Sequence, residues 1–341
     1  AHIFLNLSEI FMDLLGKRVF VTGAGGFIAS HLVERLLADG ASVKALVRYN
    51  SLGSWGWLQE HQETESQEDL EVLSGDIRDQ KFVVDAVEGC DVVFHLAALI
   101  AIPYSYQAPG SYVDTNVSGT LNVLVAAQAE GIRVVHTSTS EVYGTPHSVP
   151  ITEAHPLQGQ SPYSATKIAA DKLAESFYCS FDLPVTVLRP FNTYGPRQSA
   201  RAVLPTILTQ LIAGKKEIHL GALWPRRDLT FVDDTVDGFT KAAISDKAIG
   251  RTVHLGTGRD ISIGDLVKLA IWTLGVDAEV VSDGERLRPE KSEVGELLSD
   301  PSLAAEILDW QPRISLEEGI AATAEWLRGN LVHYDVDRYS L

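Results

Sequence analysis

Lys17-Arg18-Val19-Phe20-Val21-Thr22-Gly23-Ala24-Gly25-Gly26-Phe27-Ile28-Ala29-Ser30 is the stretch on which the reading of this chain turns. Lys17 to Thr22 is a β-rich run. A glycine turn follows, and then an apolar-periodic helix from about Ser30 to Ala38. Strand, glycine turn and helix in that order are the setting of a dinucleotide site. Gly23 permits the tight turn, and Gly26 lets the backbone approach a pyrophosphate at the helix N-terminus. Phe27 and Ile28 complete the cofactor-facing turn, and Ala29 is small enough for close helix packing.

Outward from that unit the pattern repeats. A second strand, Ser42 to Val47, ends at Arg48-Tyr49-Asn50. An acid there would hold an adenosine ribose; Arg48 offers a cation to a 2′-phosphate instead, which points to NADP, with NAD as the alternative. A polar stretch from 50 to 69 carries Trp55 and Trp57 and suggests a surface helix or a lid. The third strand, Leu70 to Leu73, leads to Asp76 and Ile77, placed to flank an adenine. The fourth ends in His95-Leu96-Ala97-Ala98. Leu96, Ala97 and Ala98 let a cofactor lie against the strand end, and His95 reads as a hydrogen-bonded strand terminus. A helix over Asn116 to Glu130, a strand over Ile132 to Thr137, a helix to about Phe181 and a strand over Pro184 to Leu188 continue the alternation. The fold class is therefore α/β, a Rossmann-type doubly wound parallel sheet over residues 12–190. From 191 to 330 helices near 202–213, 233–244, 262–274 and 315–328 are separated by short β pieces. This half reads as a smaller lobe for substrate, parts of which, about 229–258, return to the first domain; 331–341 is a tail.

The net charge of −17 argues against a nucleic-acid or anionic-membrane surface. The two cysteines, Cys90 and Cys179, form no disulfide framework or metal-ligand pattern, and both are expected to pack as small apolar residues in a reducing, cytoplasmic setting. No metal site and no membrane span are expected. Met12, the only methionine, is expected to be the natural start, with residues 1–11 a leader that is not native.

Tyr163 and Lys167 are four residues apart, which on a helix puts them on one face. An ammonium beside a phenol favours the phenolate, so Tyr163 is a candidate base for a sugar hydroxyl. Thr139, just after a buried strand, is placed to hold the same oxygen. Glu141, two residues on, is a second candidate base. In the second half Arg227 and Arg288 are candidate phosphate ligands, whereas Arg226 is expected to be solvated.

Taken jointly, the glycine turn, His-Leu-Ala-Ala, Ser138-Thr139-Ser140-Glu141-Val142-Tyr143-Gly144, the Tyr163/Lys167 pair, Arg189-Pro190-Phe191-Asn192-Thr193-Tyr194-Gly195-Pro196 and Arg227-Asp228-Leu229-Thr230-Phe231-Val232-Asp233-Asp234 resemble an extended short-chain dehydrogenase/reductase of the epimerase/dehydratase type. The resemblance covers residues 17 to about 328. It implies a tightly bound nicotinamide cofactor regenerated in each turnover, with Lys167 on its ribose and Tyr163 beside it. It also implies a nucleotide-sugar substrate whose diphosphate is held by Asn192, Arg227 and Arg288, with Arg197 a further substrate contact. Helices near 107–129 and 161–181 resemble those through which family members form homodimers. Thr-Ser-Glu is similar to the 4,6-dehydratases, in which Glu141 takes the C5 proton. Glu141 itself, or Ser140 through a water, then protonates the leaving C6 hydroxyl. The stretches 150–163, 194–202 and 48–57 resemble N-acetylglucosamine-nucleotide 4,6-dehydratases of legionaminic-acid-type pathways, acting on a UDP- or GDP-linked sugar. The competing readings are a UDP-glucuronate decarboxylase, a C4 or C5 epimerase and a cofactor-sensing protein without turnover.

Overall fold

The computed structural model describes residues 14–63 and 68–336. The expected leader, part of the polar stretch 50–69 and the end of the expected tail lie outside the described residues. The strands are β1 (Arg18–Thr22), β2 (Ser42–Arg48), β3 (Leu70–Gly75), β4 (Val92–His95), β5 (Arg133–Thr137), β6 (Val185–Pro190), β7 (Asn192–Tyr194), β8 (Glu217–Leu220), β9 (Arg226–Phe231), β10 (Thr252–Leu255), β11 (Asp260–Ser262), β12 (Glu279–Ser282) and β13 (Glu296–Leu297). The principal helices are α1 (Phe27–Ala38), α2 (Gln80–Val87), α3 (Gly119–Glu130), α4 (Pro162–Phe181), α5 (Val203–Ile212), α6 (Val232–Ile244), α7 (Ile263–Leu274), α8 (Ser302–Leu308) and α9 (Leu316–Asn330).

Seven strands form one sheet in the order β10-β6-β5-β4-β1-β2-β3, every pairing parallel. This is the expected doubly wound α/β layout, and its order reverses between β1 and β4, where such sheets bind ligands. The central strands read Val-Phe-Val-Thr, Val-Val-Phe-His and Val-Val-His-Thr because helices cover both faces and leave no wet side to alternate toward. One core packs α1, α5, α6, α7 and α9 with the sheet; the second packs α2, α3 and α4 on the other face. β10 and α6 come from beyond residue 190, yet β10 is the edge strand beside β6 and α6 packs on α1, β5 and β6. Outside the main sheet, β9 gathers β7, β11 and β13 into a second sheet, and β12 pairs with β8.

The helix expected from Asn116 begins differently. A π-helical turn, Val113–Ser118, precedes α3. Two short helices, Ile102–Gln107 and Pro109–Tyr112, stand before it. Part of the polar stretch forms a 3₁₀ helix, Gly56–Glu63. Cys90 is buried as expected, but Cys179 is exposed on the outer face of α4. Among the described residues no helix is long and apolar enough to cross a membrane, and no His, Cys, Asp and Glu cluster suits a metal.

Candidate active site

At the ends of β1 and β4 two chain segments nearly touch. A Cβ on Gly23 (φ +72°) would stand 2.9 Å from Ala97 Cα, so only glycine fits. Thr22 Oγ1 accepts from Leu96 N and Ala97 N at 3.1 and 3.0 Å and meets His95 Nδ1 at 2.9 Å. His95 Nε2 reaches Thr120 Oγ1 at 2.9 Å, which makes His95 the hydrogen-bonded terminus the sequence suggests. Gly26 caps α1 without a side-chain hydrogen bond, and the first turn, which holds Phe27 and Ile28, has no acid. Those free N–H groups suit an anion. Gly25 answers to a different neighbour. Its Cβ would lie 2.5 Å from Trp55 O, and Trp57 N donates to Gly25 O at 3.1 Å, so the 50–59 segment crosses the glycine turn.

Arg48, Tyr49, Asp76 and Arg78 help line a cavity of about 370 Å³ beyond β2 and β3. Arg78 Nη2 donates to Asp76 Oδ2 at 2.6 Å, and this hydrogen bond holds the carboxyl below its ordinary range. Ile77 is not on that wall. It is buried in the second core against Gly119, where a Cβ would come within 2.6 Å of Ile77 Cδ1. The expectation that its side chain flanks an adenine is corrected: Ile77 lies in the turn after β3, and its apolar side chain packs into the second core where Gly119 leaves room. The glycine turn, the uncapped helix start and the arginine-lined cavity together fit a dinucleotide.

α4 starts at a fixed point. Ser161 and Ser164 form a reciprocal cap with Pro162 in the first turn, which seats Tyr163 at the mouth of the sheet. Thr139 caps the 3₁₀ turn Ser140–Tyr143, its Oγ1 accepting from Glu141 N at 3.2 Å. Burial pushes the Tyr163 phenol well above its ordinary value; a hydrogen bond with Thr139 opposes this, and Glu141 adds to it. Lys167 Nζ donates to Thr137 O at 2.5 Å. Burial brings this ammonium down to about 8, with the Asp171 carboxylate opposing. Lys167 is one turn from Tyr163, as expected, but the expected depression of the phenol is not what this arrangement gives. The ammonium is turned onto a carbonyl and desolvation governs the phenol. Ser140 is buried beside Thr139, and Glu141 is half-buried.

The second sheet brings the expected phosphate ligands together. β7 lies beside β9, with Asn192 opposite Leu229. Arg227 is buried, its Nη1 donating to Arg226 O at 2.9 Å and its Nη2 to Glu293 Oε1 at 3.2 Å. Arg288 Nη1 stands 3.6 Å from the same Glu293 oxygen. Arg288 Nη1 and Asn192 Oδ1 are buried without a hydrogen-bond partner, which leaves one donor open to an anion and one acceptor open to a hydroxyl or N–H. Burial works against the Arg227 cation, and the Glu141 and Glu293 carboxylates support it, so the 3₁₀ turn that carries Glu141 lies within electrostatic reach of this arginine. Arg226 is bidentate with Asp260 on the half-exposed rim, as expected of the non-ligand of the pair.

Arg197 does not join them. Its Nη2 donates to Glu34 Oε1 at 2.7 Å and its Nη1 to Ser30 Oγ at 3.2 Å, both on α1. The expected substrate contact is corrected to a strut between the 194–198 turn and the cofactor helix. Three residues went unread in the sequence. Glu293 bridges Arg227 and Arg288, and Arg78 adds a cation to the cavity beyond β2 and β3. Buried Asn116 ties the end of β4 to α4, its amide bonding both Leu99 N and Leu99 O and donating to Thr166 Oγ1 at 3.1 Å. An Arg-x-Arg or Arg-Pro text alone carries no signal for Glu293, and a π turn has no sequence period of its own.

The GDP-mannose 4,6-dehydratase family profile matches residues 20–323. A UDP-glucose 4-epimerase of Mycolicibacterium smegmatis is 35% identical over 317 residues, 91% of this chain and 98% of the relative. A dTDP-glucose 4,6-dehydratase of Actinoplanes sp. is 31% identical over 318 residues, 92% of this chain and 98% of the relative. Among solved structures, a dTDP-glucose 4,6-dehydratase of Streptomyces venezuelae, crystallised with NAD, superposes with a TM-score of 0.83 at 30% identity, covering 93% of this chain and 98% or more of that one.

Proposed function

We propose a reaction for this chain from the premise that it belongs to the GDP-mannose 4,6-dehydratase family of extended short-chain dehydrogenases/reductases. It is an NAD(P)-dependent nucleotide-sugar 4,6-dehydratase, and its substrate is a UDP- or GDP-linked N-acetylglucosamine. The observation that carries this reading is Glu141: a half-buried carboxylate two residues beyond Thr139, within electrostatic reach of both the Tyr163 phenol and the Arg227 cation. The relatives' names supply the reaction class, and the stretches 150–163 and 194–202 supply the N-acetylated sugar. Arg48 at the end of β2, with Arg78 across the cavity, favours a 2′-phosphate and hence NADP, although the related Streptomyces enzyme carries NAD.

Gly23, the start of α1, Ala97 and the Arg48 cavity would hold a dinucleotide, and Lys167 would orient its ribose. A bound nicotinamide would supply the hydride chemistry, uptake from C4 and return to C6. Tyr163 takes the C4 hydroxyl proton while Thr139 fixes that oxygen. Burial, with Glu141 adding to it, holds the phenol high, so Tyr163 acts as a base only when cationic charge stands beside it. The 4-keto group acidifies C5–H, and Glu141 removes that proton. Glu141, or Ser140 through a water, protonates the C6 hydroxyl as it leaves. Asn192, Arg227 and Arg288 hold the diphosphate. Exposed Val113 and Leu121, with Tyr178 and Phe181 on α4, are the apolar surface on which a homodimer would form.

Incubation with UDP- and GDP-N-acetylglucosamine in deuterated water, read by mass spectrometry and proton NMR, tests the assignment. Loss of one water with deuterium at C5 and none from solvent at C6 is expected. Glu141→Gln is expected to slow elimination by about 10²–10⁴-fold while C4 oxidation persists. A 4-epimerase is the second reading, favoured by the 35% identical mycobacterial relative; retention of mass with inversion at C4 would establish it in place of the dehydratase.

A further inference from the structure

Behind the Tyr163 helix lies a buried polar cluster that takes no part in the proposed reaction steps. Asp171 stands one turn beyond Lys167 on α4 and is 2% exposed. Its Oδ2 accepts from Ser138 Oγ at 2.7 Å and from Arg189 Nε and Nη2 at 3.1 and 2.9 Å. Arg189, 3% exposed, donates through Nη1 to Tyr143 OH at 2.6 Å. Tyr143 OH in turn meets His254 Nε2 on β10 at 2.5 Å, and His254 N donates to Glu153 Oε1 at 3.0 Å. Ser138 and Tyr143 flank the segment Thr139 to Val142. One ion pair thus grips both ends of the turn that carries Thr139, Ser140 and Glu141.

Packing does not require such a pair. A buried ion pair contributes little net stability, and apolar residues of equal volume do as well or better. The carboxylate has a third neighbour, since its Oδ1 lies 3.3 Å from His136 Nε2. It stands one turn from the Lys167 ammonium, whose own hydrogen bond goes to the Thr137 carbonyl.

We propose that Asp171 and Arg189 are positioning residues of the reaction centre: the pair clamps Ser138 and Tyr143, and the Asp171 carboxylate is the fixed countercharge of Lys167. The inference rests on the reading of Tyr163 and Lys167 as the oxidising pair. The charges behave accordingly. Burial works to raise Asp171, but His136, Arg189 and Lys167 together pull it down to about 2, so it stays ionised. Asp171 is the one group that opposes the desolvation of Lys167. Around the two stand Tyr163 on the same helix, His95 on β4, His136 on β5 and Arg189 on β6, with Tyr143, His254 and Glu153 behind Arg189. Burial pushes all three histidines down, so they are neutral near pH 7 and supply no substitute charge.

The test begins on the full chain without substrate, so that it stands apart from the choice of sugar. Lysines carrying ¹³C at Cε are titrated by NMR, and Lys167→Met assigns the resonance. Asp171→Asn is expected to lower the Lys167 midpoint by about one unit or more, a tenfold change in proton affinity. Ser138→Ala and Tyr143→Phe each remove one hydrogen bond and no charge. They are expected to leave that midpoint in place and to lower kcat by about tenfold with KM little changed, as for a lost hydrogen bond felt in the transition state. A folded Asp171→Asn protein whose Lys167 titrates as in the wild type overturns the countercharge. Wild-type kcat in both single-bond variants overturns the clamp, and these two decide the matter should Asp171→Asn fail to fold. Absence of any turnover with nucleotide sugars would sink the proposed reaction, and the Lys167 midpoints would still report on Asp171.

Discussion

Replacing Arg227 with methionine removes the most deeply buried cation of the proposed phosphate site while keeping its volume. In the structure its guanidinium divides between Arg226 O at 2.9 Å and Glu293 Oε1 at 3.2 Å, and Arg288 Nη1 shares the Glu293 carboxylate at 3.6 Å. A diphosphate entering this place exchanges one carboxylate for several charged oxygens. A hydrogen bond to a charged group is worth about 1.5–3 kcal/mol, and each 1.4 kcal/mol is about tenfold in affinity. Arg227→Met is therefore expected to weaken binding of UDP or GDP, whichever the protein prefers, by about 10- to 150-fold. Arg227→Lys keeps the charge and loses the fork, so it falls between. Arg226→Met serves as the control. That side chain is bidentate with Asp260 on the rim, where an ion pair is worth at most about 1 kcal/mol, and its loss should move affinity by less than about fivefold. Isothermal titration calorimetry on the two nucleoside diphosphates measures all three. A folded Arg227→Met protein that binds both within twofold of wild type would show that the diphosphate lies elsewhere.

Gly56 has φ +63°, and a Cβ there would stand 2.4 Å from Gly25 O. Gly56→Ala should cost about 1–2 kcal/mol in backbone strain before the clash is counted, read as a lower Tm, and it should loosen dinucleotide binding in fluorescence titration because it pushes on the glycine turn. Arg48→Glu is expected to turn any preference for NADP toward NAD, measured as the ratio of the two dissociation constants; an unchanged ratio removes Arg48 from cofactor choice. Burial, and next the Arg189 charge, bring His254 down to about 3, and burial lowers His95 and His136 too. Unfolded histidine binds a proton near pH 6.5, which the folded chain refuses. Urea stability should hold above pH 6.5 and fall as pH drops from there toward 3, with a shallower fall in His254→Gln.

Local pattern made the first half legible. β1, the glycine turn and α1 are contiguous, and the fully apolar strands between helices leave only a parallel sheet with both faces covered. Tyr163 and Lys167 were readable because helical spacing puts them on one face. The misread residues have distant partners. Arg197 belongs to Glu34, a long way back in the chain, and no spacing reports such a pairing. Ile77 turned inward because Gly119, on α3 in the same core, leaves it a hole. β10 completes the main sheet from beyond an interval of other structure, and a short Thr-Val-His-Leu run carries no mark of its destination. Asp171 could have been noticed, since it repeats the Tyr163-to-Lys167 interval once more along α4. A lone acid on a helix face usually meets water, and only β5 and β6 packed over it show that this one does not.

Relatives of nearly equal likeness are named for epimerisation and for dehydration, and the site explains how one scaffold serves both. Both outcomes begin with oxidation at C4, and the groups for that step are held by the most constrained parts of the fold: the sheet ends, the capped start of α4 and the buried Asn116. The fate of the 4-keto sugar depends on whether a base reaches C5. On the proposed reading that choice rests in this chain on one half-buried carboxylate, Glu141, on a 3₁₀ turn of four residues. Fold likeness alone is silent on such a difference. The turn is short, its flanks are fixed by Ser138 and Tyr143, and Glu141 has Tyr163 and Arg227 in electrostatic reach. Placing an acid there costs the fold little, since the side chain keeps partial access to water. In the proposed reaction it changes the outcome, because the 4-keto sugar would lose a C5 proton before it could turn over. Glu141→Gln is accordingly the one substitution that should separate the two reactions: it leaves oxidation at C4 in place and stops the chain short of losing water.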